Sequence, residues 1–323
     1  MYDVITFGSA TIDVFAKTDT EMISIIHNGK EEDFVAYESG SKILINDIGF
    51  KLGGGGTNTA VSFSRLGLKT AFCGSLGEDE NSHSIISSLK KEGVEFIGTQ
   101  TKGKSGYSVI LNSIKDERTI LTYKGVNNEL KYGNLNKKML DCKWFYFCSL
   151  MGESYKTFVK LTEFAAKRGI KVAFNPSSYL AKKGFQYLEK PLRNTYFLVL
   201  NLEEAQLLAG EHKIKDLLKK ISSYGPKIVT ITNGKEGAYT YSENNYYFVS
   251  SEKVRVKETT GAGDAFGSSF LAGLMIKNDI KYALKLGCVN SASVIEHIGA
   301  KNKLLRLHEA NKKIKGKRTQ KLK

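Results

Sequence analysis

The sequence predicts a layered α/β fold, with a mostly parallel sheet between helices and a small β-sheet set apart from it. Three observations predict it. Short apolar runs bounded by glycine or polar residues recur along the chain, as buried parallel strands require. Between them lie segments whose apolar residues repeat at helical spacing. Two segments, 13–50 and 105–124, break that rhythm and read as strands without convincing helices.

The runs at 2–8, 70–74, 144–149, 171–175, 197–201 and 227–232 are the expected buried strands. Helices are expected at 57–66, 81–92, 155–167, 203–209 and 214–224, with 262–276 and 280–295 making the C-terminal third helical. Such alternation puts helices on both faces of the sheet. Residues 105–124 read as a strand, a polar turn at 115–118 and a second strand, and 34–37 and 41–45 supply further strand-like runs. The expected division is an α/β core of 1–12, 51–104 and 125–312, a β-sheet lid of 13–50 and 105–124, and a flexible basic tail of 313–323. A small sheet hinged beside a pocket acts as a lid.

With 323 residues and 41% hydrophobic content, the chain can bury one large core or two smaller ones. Cys73, Cys142, Cys148 and Cys288 show no Cys-x-x-Cys spacing and no metal-like pairing with the five histidines. Reduced, buried thiols and a cytoplasmic location are the expectation. Met1 leads straight into the first strand-like run without a basic leader. No apolar stretch approaches the ~20 residues that span a bilayer. The net charge of +15 suggests nucleic acid until its distribution is read. Residues 300–323 hold ten Lys or Arg against one Glu, so most of the excess sits at one end. That end reads as a solvated, frayed tail, which argues against a nucleic-acid partner.

Residues 257–267 read Lys-Glu-Thr-Thr-Gly-Ala-Gly-Asp-Ala-Phe-Gly. Glycine and alanine leave bare backbone N–H groups where an apolar helix begins, a site that attracts phosphate. Asp264 in that turn can take a proton from an attacking hydroxyl while the amides hold charge on a transferring phosphoryl group. By itself the segment is also readable as a glycine turn capped by an aspartate. A second cluster, Gly53-Gly54-Gly55-Gly56-Thr57-Asn58-Thr59-Ala60, precedes another helix, with Arg65-Leu66-Gly67 downstream. It lacks the Gly-Lys-Ser/Thr of a Walker A loop and the spacing of a dinucleotide fingerprint.

Together the two segments are far more specific. Gly-Gly-x-Gly-x-Asn-x-Ala followed some 200 residues later by Thr-x-Gly-Ala-Gly-Asp-x-Phe resembles the ribokinase-like, PfkB-type family of carbohydrate and nucleoside kinases. Gly8-Ser9-Ala10-Thr11-Ile12-Asp13, Glu117-Arg118-Thr119-Ile120 with Gly125-Val126-Asn127, Asn201-Leu202-Glu203-Glu204 and Thr232-Asn233-Gly234-Lys235-Glu236-Gly237 match further family motifs in order. The resemblance spans residue 2 to about 304 and implies a three-layer αβα core with a β lid. It implies an ATP-dependent kinase that phosphorylates a hydroxymethyl group of a small sugar or sugar derivative, or alternatively a nucleoside kinase in which Tyr37 or Tyr107 stacks a base.

The roles implied are these. Asp264 is the base, and Gly261, Ala262 and Gly263 form the anion hole. Asp13, Gly53, Gly54 and Asn58 bind the sugar. Asn201 and Glu204 organise Mg²⁺ through water, Thr232, Gly234 and Gly237 contact ATP, and Asn290 lies near the adenine. Glu258 and Thr260 mark a monovalent-cation site, K⁺ in the family. The family's usual aspartate is Glu258 here, one methylene longer, which either displaces the ion or replaces it. Gly55 stands where ribokinases have lysine, and the 149–153 loop, Ser-Leu-Met-Gly-Glu, lacks their acidic substrate residue, so ribose itself is not secured as the substrate. A homodimer through the lid is implied. A non-catalytic regulator on this fold is the rival, and the intact Gly-Ala-Gly-Asp argues against it.

Overall fold

The structure, a computed structural model, describes residues 1–18, 22–27, 30–112 and 118–322. Most of the polar turn expected at 115–118 lies outside them. From the N-terminus, β1 (Tyr2–Phe7) leads to β2 (Thr11–Thr18), the hairpin β3 (Met22–His27) and β4 (Lys30–Val35), and β5 (Ile45–Gly53). Then come α1 (Gly55–Arg65), β6 (Thr70–Cys73), β7 (Ser75–Gly77), α2 (Glu80–Lys91), β8 (Glu95–Phe96) and β9 (Thr99–Thr101). A second excursion is β10 (Gly106–Asn112) and β11 (Arg118–Tyr123). The chain continues through β12 (Cys142–Phe147), α3 (Gly152–Arg168), β13 (Lys171–Phe174), α4 (Ser178–Ala181), α5 (Gly184–Arg193) and β14 (Phe197–Asn201). It proceeds to α6 (Leu202–Ala209), α7 (Ile214–Ser222), β15 (Ile228–Asn233), β16 (Gly237–Ser242) and β17 (Asn245–Ser250). It closes with α8 (Ala262–Lys277), α9 (Ile280–Ile295), α10 (Leu307–Ile314) and β18 (Thr319–Leu322).

Among the described residues ten strands make the large sheet, in the order β18-β17-β16-β15-β14-β13-β12-β1-β6-β8. Pairing is parallel from β15 to β8 and antiparallel from β15 outward to β18. Alternation sorts the strand side chains between two helix layers. On β12, Phe145 and Phe147 join the core under α3, α5, α6 and α7, while Trp144 and Tyr146 face α1, α8 and α9. Phe7 stacks on Phe147 with ring centroids 4.6 Å apart, locking β1 to β12.

β2 and β5, with β10 and β11, form a separate four-stranded sheet ordered β11-β10-β2-β5. Asn127 ties it to the core. Its Oδ1 accepts from Ala10 N–H at 2.9 Å, and its Nδ2 donates to Ala10 O at 3.0 Å and Lys124 O at 2.9 Å.

The flexible tail expected at 313–323 is corrected. α10 buries Ala310 and Ile314, and β18 pairs with β17 from Val249↔Thr319 to Tyr246↔Leu322. The Lys317 side chain, 6% exposed, meets Glu252 at 2.7 Å. Charge counting missed this because strand addition draws on backbone N–H and C=O groups and needs no apolar side chains.

Candidate active site

The parallel strands end at one edge, and their C-terminal ends open on a common cleft, the usual ligand position in such sheets. The cleft is lined by Ser9 after β1, Cys148 after β12, Asn175 after β13, Asn201 and Glu204 at the β14–α6 junction, and Thr232 on β15. Gly55 of α1 and Gly261, Gly263 and Asp264 at the start of α8 complete the wall.

α8 begins at Gly261 with φ +81°, and a Cβ there would lie 2.5 Å from that of Ala300, so glycine is required by both conformation and space. No side chain caps this 16-residue helix. The Ala262 N–H is turned back onto Thr259 O at 3.2 Å, which leaves the first-turn N–H groups from Gly263 onward to face an anion. Asp264 Oδ2 accepts from Asn58 Nδ2 at 2.8 Å. Burial raises the Asp264 pKa, opposed by the Asn58 hydrogen bond and by the charge of Lys301.

Behind Asn58 stands a residue that the sequence reading missed. Lys301 Nζ donates to Asn58 Oδ1 at 2.7 Å, Leu52 O at 2.8 Å and Thr57 Oγ1 at 2.9 Å. Burial depresses its pKa to about 7 against the pull of Asp13, Asp264 and Glu92. Counted within a basic run, it carried no signal of its own. Lys124, also missed, lines the cleft with Nζ 5.4 Å from the ring centroid of Tyr179. Burial lowers its pKa, with Asp13 opposing.

Asp13, only 9% exposed on β2, accepts from Thr11 Oγ1 at 2.8 Å. A Cβ on Gly53 would fall 1.8 Å from Asp13 Oδ2, so Asp13 can sit here only because residue 53 is glycine. Gly54, at φ +94°, is the N-cap of α1. These sugar-site candidates are not among the cleft-lining residues; they join it through the bond between Asn58 and Asp264.

Asn201 and Glu204 form a reciprocal capping box on α6, at 2.8 and 3.0 Å. Burial lifts Glu204 to about 7; the Asn201 hydrogen bond lowers it, and Glu203 and Asp264 raise it. Thr232 and Gly263 also line an adjoining cleft with Gly234, Gly237 and Ala262, walled by Ala238, Phe266, Ala292 and Ile295. Asn290 does not reach either cleft. It is fully buried, with Nδ2 on Ser269 Oγ at 2.6 Å and Oδ1 accepting Leu305 N–H at 2.8 Å. The adenine role expected of it is corrected, because both ends of its amide are held inside the α8–α9 packing. Glu258, buried, accepts Gly299 N–H at 2.6 Å, while Thr260 Oγ1 is buried without a hydrogen-bond partner among the described residues.

Residues 3–306 match the model of the pfkB family of carbohydrate kinases. The chain belongs to this family. A sugar kinase of Archaeoglobus fulgidus, itself uncharacterized, is 29% identical over 262 residues, 76% of this chain and 99% of that protein. A ribokinase of Lactococcus lactis is 25% identical over 285 residues, 86% of this chain and 90% of its own length. Among solved structures, the Arabidopsis thaliana ribokinase complexed with ribose and ATP superposes with a TM-score of 0.82 at 18% identity, covering 97% and 99% of the two chains. The protein is thus a carbohydrate kinase, and among the described residues no helix is long and apolar enough to cross a membrane.

Proposed function

We propose that this kinase transfers the γ-phosphoryl group of ATP to a hydroxymethyl group of a small sugar or sugar derivative, with Asp264 as the base. The observation that carries this reading is the Asp264 carboxylate on the uncapped first turn of α8, with Oδ2 already held by Asn58. Oδ1 is left to receive the proton of the sugar hydroxyl as its oxygen attacks phosphorus in line. The bond to the bridging oxygen of the leaving ADP breaks, and the amides around Gly261, Ala262 and Gly263 hold the charge of the transferring group. Thr232, Gly234 and Gly237 bring the nucleotide's ribose and phosphates along the adjoining cleft, whose apolar wall suits adenine.

A divalent cation fits this donor set. Glu204, desolvated and beside a second carboxylate, is relieved by a positive charge, and Asn201 adds a neutral oxygen. Mg²⁺ bound there would supply the charge that offsets the phosphates, with Asn201 and Glu204 holding it. The Thr260 Oγ1, buried without a partner among the described residues and two positions along from Glu258, supports a monovalent-cation site as well.

Because Asp13 and Asn58 are largely enclosed, the small sheet must move for a sugar to reach them. Closure then removes water, without which their hydrogen bonds would merely replace solvent bonds. The exposed apolar residues of that sheet, Phe50 at 62% and Leu121 at 57% among them, support pairing of two copies through their lids. A coupled assay over pentoses, hexoses, ketoses, deoxyketo acids and nucleosides tests the substrate. Turnover of a nucleoside above every sugar would overturn the sugar reading. Light scattering of the purified chain tests the dimer, and a monomer at micromolar concentration would overturn it.

A further inference from the structure

Lys301 is held at both ends. Its carbonyl accepts from Arg65 Nη1 at 3.1 Å, and the same nitrogen reaches Leu304 O at 3.1 Å. Arg65 is itself paired with Glu92 at 2.6 and 2.9 Å, so that ion pair clamps the backbone on which Lys301 stands. At the other end three acceptors favour the ammonium against the burial that depresses it, and in that form it has three donors and no acceptor capacity. Leu52 O, Thr57 Oγ1 and Asn58 Oδ1 take all three. A loose lysine of a basic surface run has neither restraint.

The consequence falls on Asn58. A carboxamide can turn over, exchanging oxygen and nitrogen at little intrinsic cost. In the observed orientation Oδ1 faces the ammonium at 2.7 Å and Nδ2 faces Asp264 Oδ2 at 2.8 Å. Reversed, the NH₂ group would meet an ammonium and the oxygen a carboxylate, so both contacts would become repulsive.

We propose that Lys301 is a positioning residue for phosphoryl transfer: its ammonium fixes the Asn58 amide so that a donor, not an acceptor, faces Asp264. The inference rests on the reading of Asp264 as the base. Lys301 takes no proton from substrate. It keeps Oδ2 of Asp264 occupied by a donor, which favours the ionised carboxylate and leaves Oδ1 for the sugar hydroxyl. The charged groups facing Lys301 are Asp13 of β2, Asp264 of α8, Glu92 at the end of α2 and Arg65 of α1. Because Glu92 and Arg65 satisfy each other, the two aspartates of the site are the carboxylates that its charge is left to balance.

The test is a double-mutant cycle with pH profiles. Lys301→Met removes every donor, and kcat should fall about 10- to 100-fold, within the range of a misheld base. The acid limb of the kcat profile should move to higher pH, because Asp264 loses a hydrogen bond that favours its charged form. The Michaelis constant for ATP should stay within about twofold. In an Asp264→Asn background, Lys301→Met should cost less than about twofold more, since there is no base left to position. Lys301→Gln, which keeps one donor toward Asn58, should hold the loss to about 3- to 10-fold and return the acid limb toward its wild-type pH. An unshifted acid limb in Lys301→Met, or additive losses in the cycle, would overturn the proposal. If Lys301→Met does not fold, the cycle is run with Lys301→Gln, where a loss of about 3- to 10-fold that vanishes beside Asp264→Asn is expected and an additive one overturns it. Full turnover in Asp264→Asn alone would instead remove the base assignment, a different failure.

Discussion

The two sheets of this molecule dispose of their apolar residues in opposite ways. On β12 of the large sheet every residue except Lys143 is buried. On β5 of the small sheet most residues are exposed, and Ile45, Ile48 and Phe50 stand in solvent, joined by Ile120, Leu121 and Tyr123 of β11. Helices cover both faces of the large sheet, so folding accounts for its apolar pattern. The small sheet has more apolar surface than its own fold covers, and the proposed pairing of two lids rests on that surface. Stability and catalysis should therefore respond separately to changes in the two.

The largest effect should come where the large sheet meets its cleft. Asp264→Asn should lower kcat by about 10²- to 10⁴-fold while leaving the thermal midpoint near wild type, because the substitution is nearly isosteric. Turnover within a few-fold of wild type would break the assignment. Next, Phe147→Ala should cost about 3–5 kcal/mol in urea unfolding, as it empties a packed ring cluster. A cost below 1 kcal/mol would mean that the core repacks around the gap.

Truncation after Lys315 comes third. It deletes β18 and the contact of Lys317 with Glu252, and should cost about 1–3 kcal/mol. Since Glu252 also lines the apolar cleft, the Michaelis constant for ATP should rise as well. An unchanged melting curve would mean that β18 adds nothing to the sheet. Fourth is a pH effect. Glu204 titrates at about 7, raised by burial, so it is ionised above that pH and protonated below it. The Michaelis constant for ATP with Mg²⁺ should accordingly climb several-fold from pH 8 to pH 6, and Glu204→Gln should flatten the profile. The smallest effect should be Leu121→Ser on the small sheet, within about 0.5 kcal/mol for the monomer. Its consequence should appear in light scattering, as loss of pairing.

Much of this was legible in the sequence, for physical reasons that differ from place to place. The parallel strands were readable because burial on both faces demands unbroken apolar runs, as in Phe145 to Phe147. The antiparallel extension β16–β18 was less so: β16 alternates tyrosine with threonine and serine, β18 carries lysine outright, and the Tyr246–Val249 run of β17 went unread between them. The two glycine segments announced a site because close approach at several of their positions leaves room for nothing else, as Gly53 beside Asp13 and Gly261 beside Ala300 illustrate. The capping-box chemistry of Asn201 and Glu204 sits inside the motif that drew attention to them, so one pair of side chains starts α6 and faces the cleft. Lys301 could not be read, since burial of one lysine among ten basic residues is a tertiary fact. Asn290 misled for the same reason: helical position gives no direction where most of α9 is buried and only one face, with Ala292 and Ile295, meets the cleft.

The rims of the two sheets have a consequence for handling the protein. The large sheet ends on one side in the two-residue β8 and on the other in β18, which carries Gln320 and Lys321. Short or lysine-bearing rims give an approaching strand little to pair with. The small sheet ends in β11 and in the nine-residue β5, which carries Asp47 and Lys51 but is long and leaves Ile45, Ile48 and Phe50 open. Unwanted strand-on-strand growth at high concentration should begin there. Charges introduced on β5 should curb it without disturbing the cleft at the end of the large sheet.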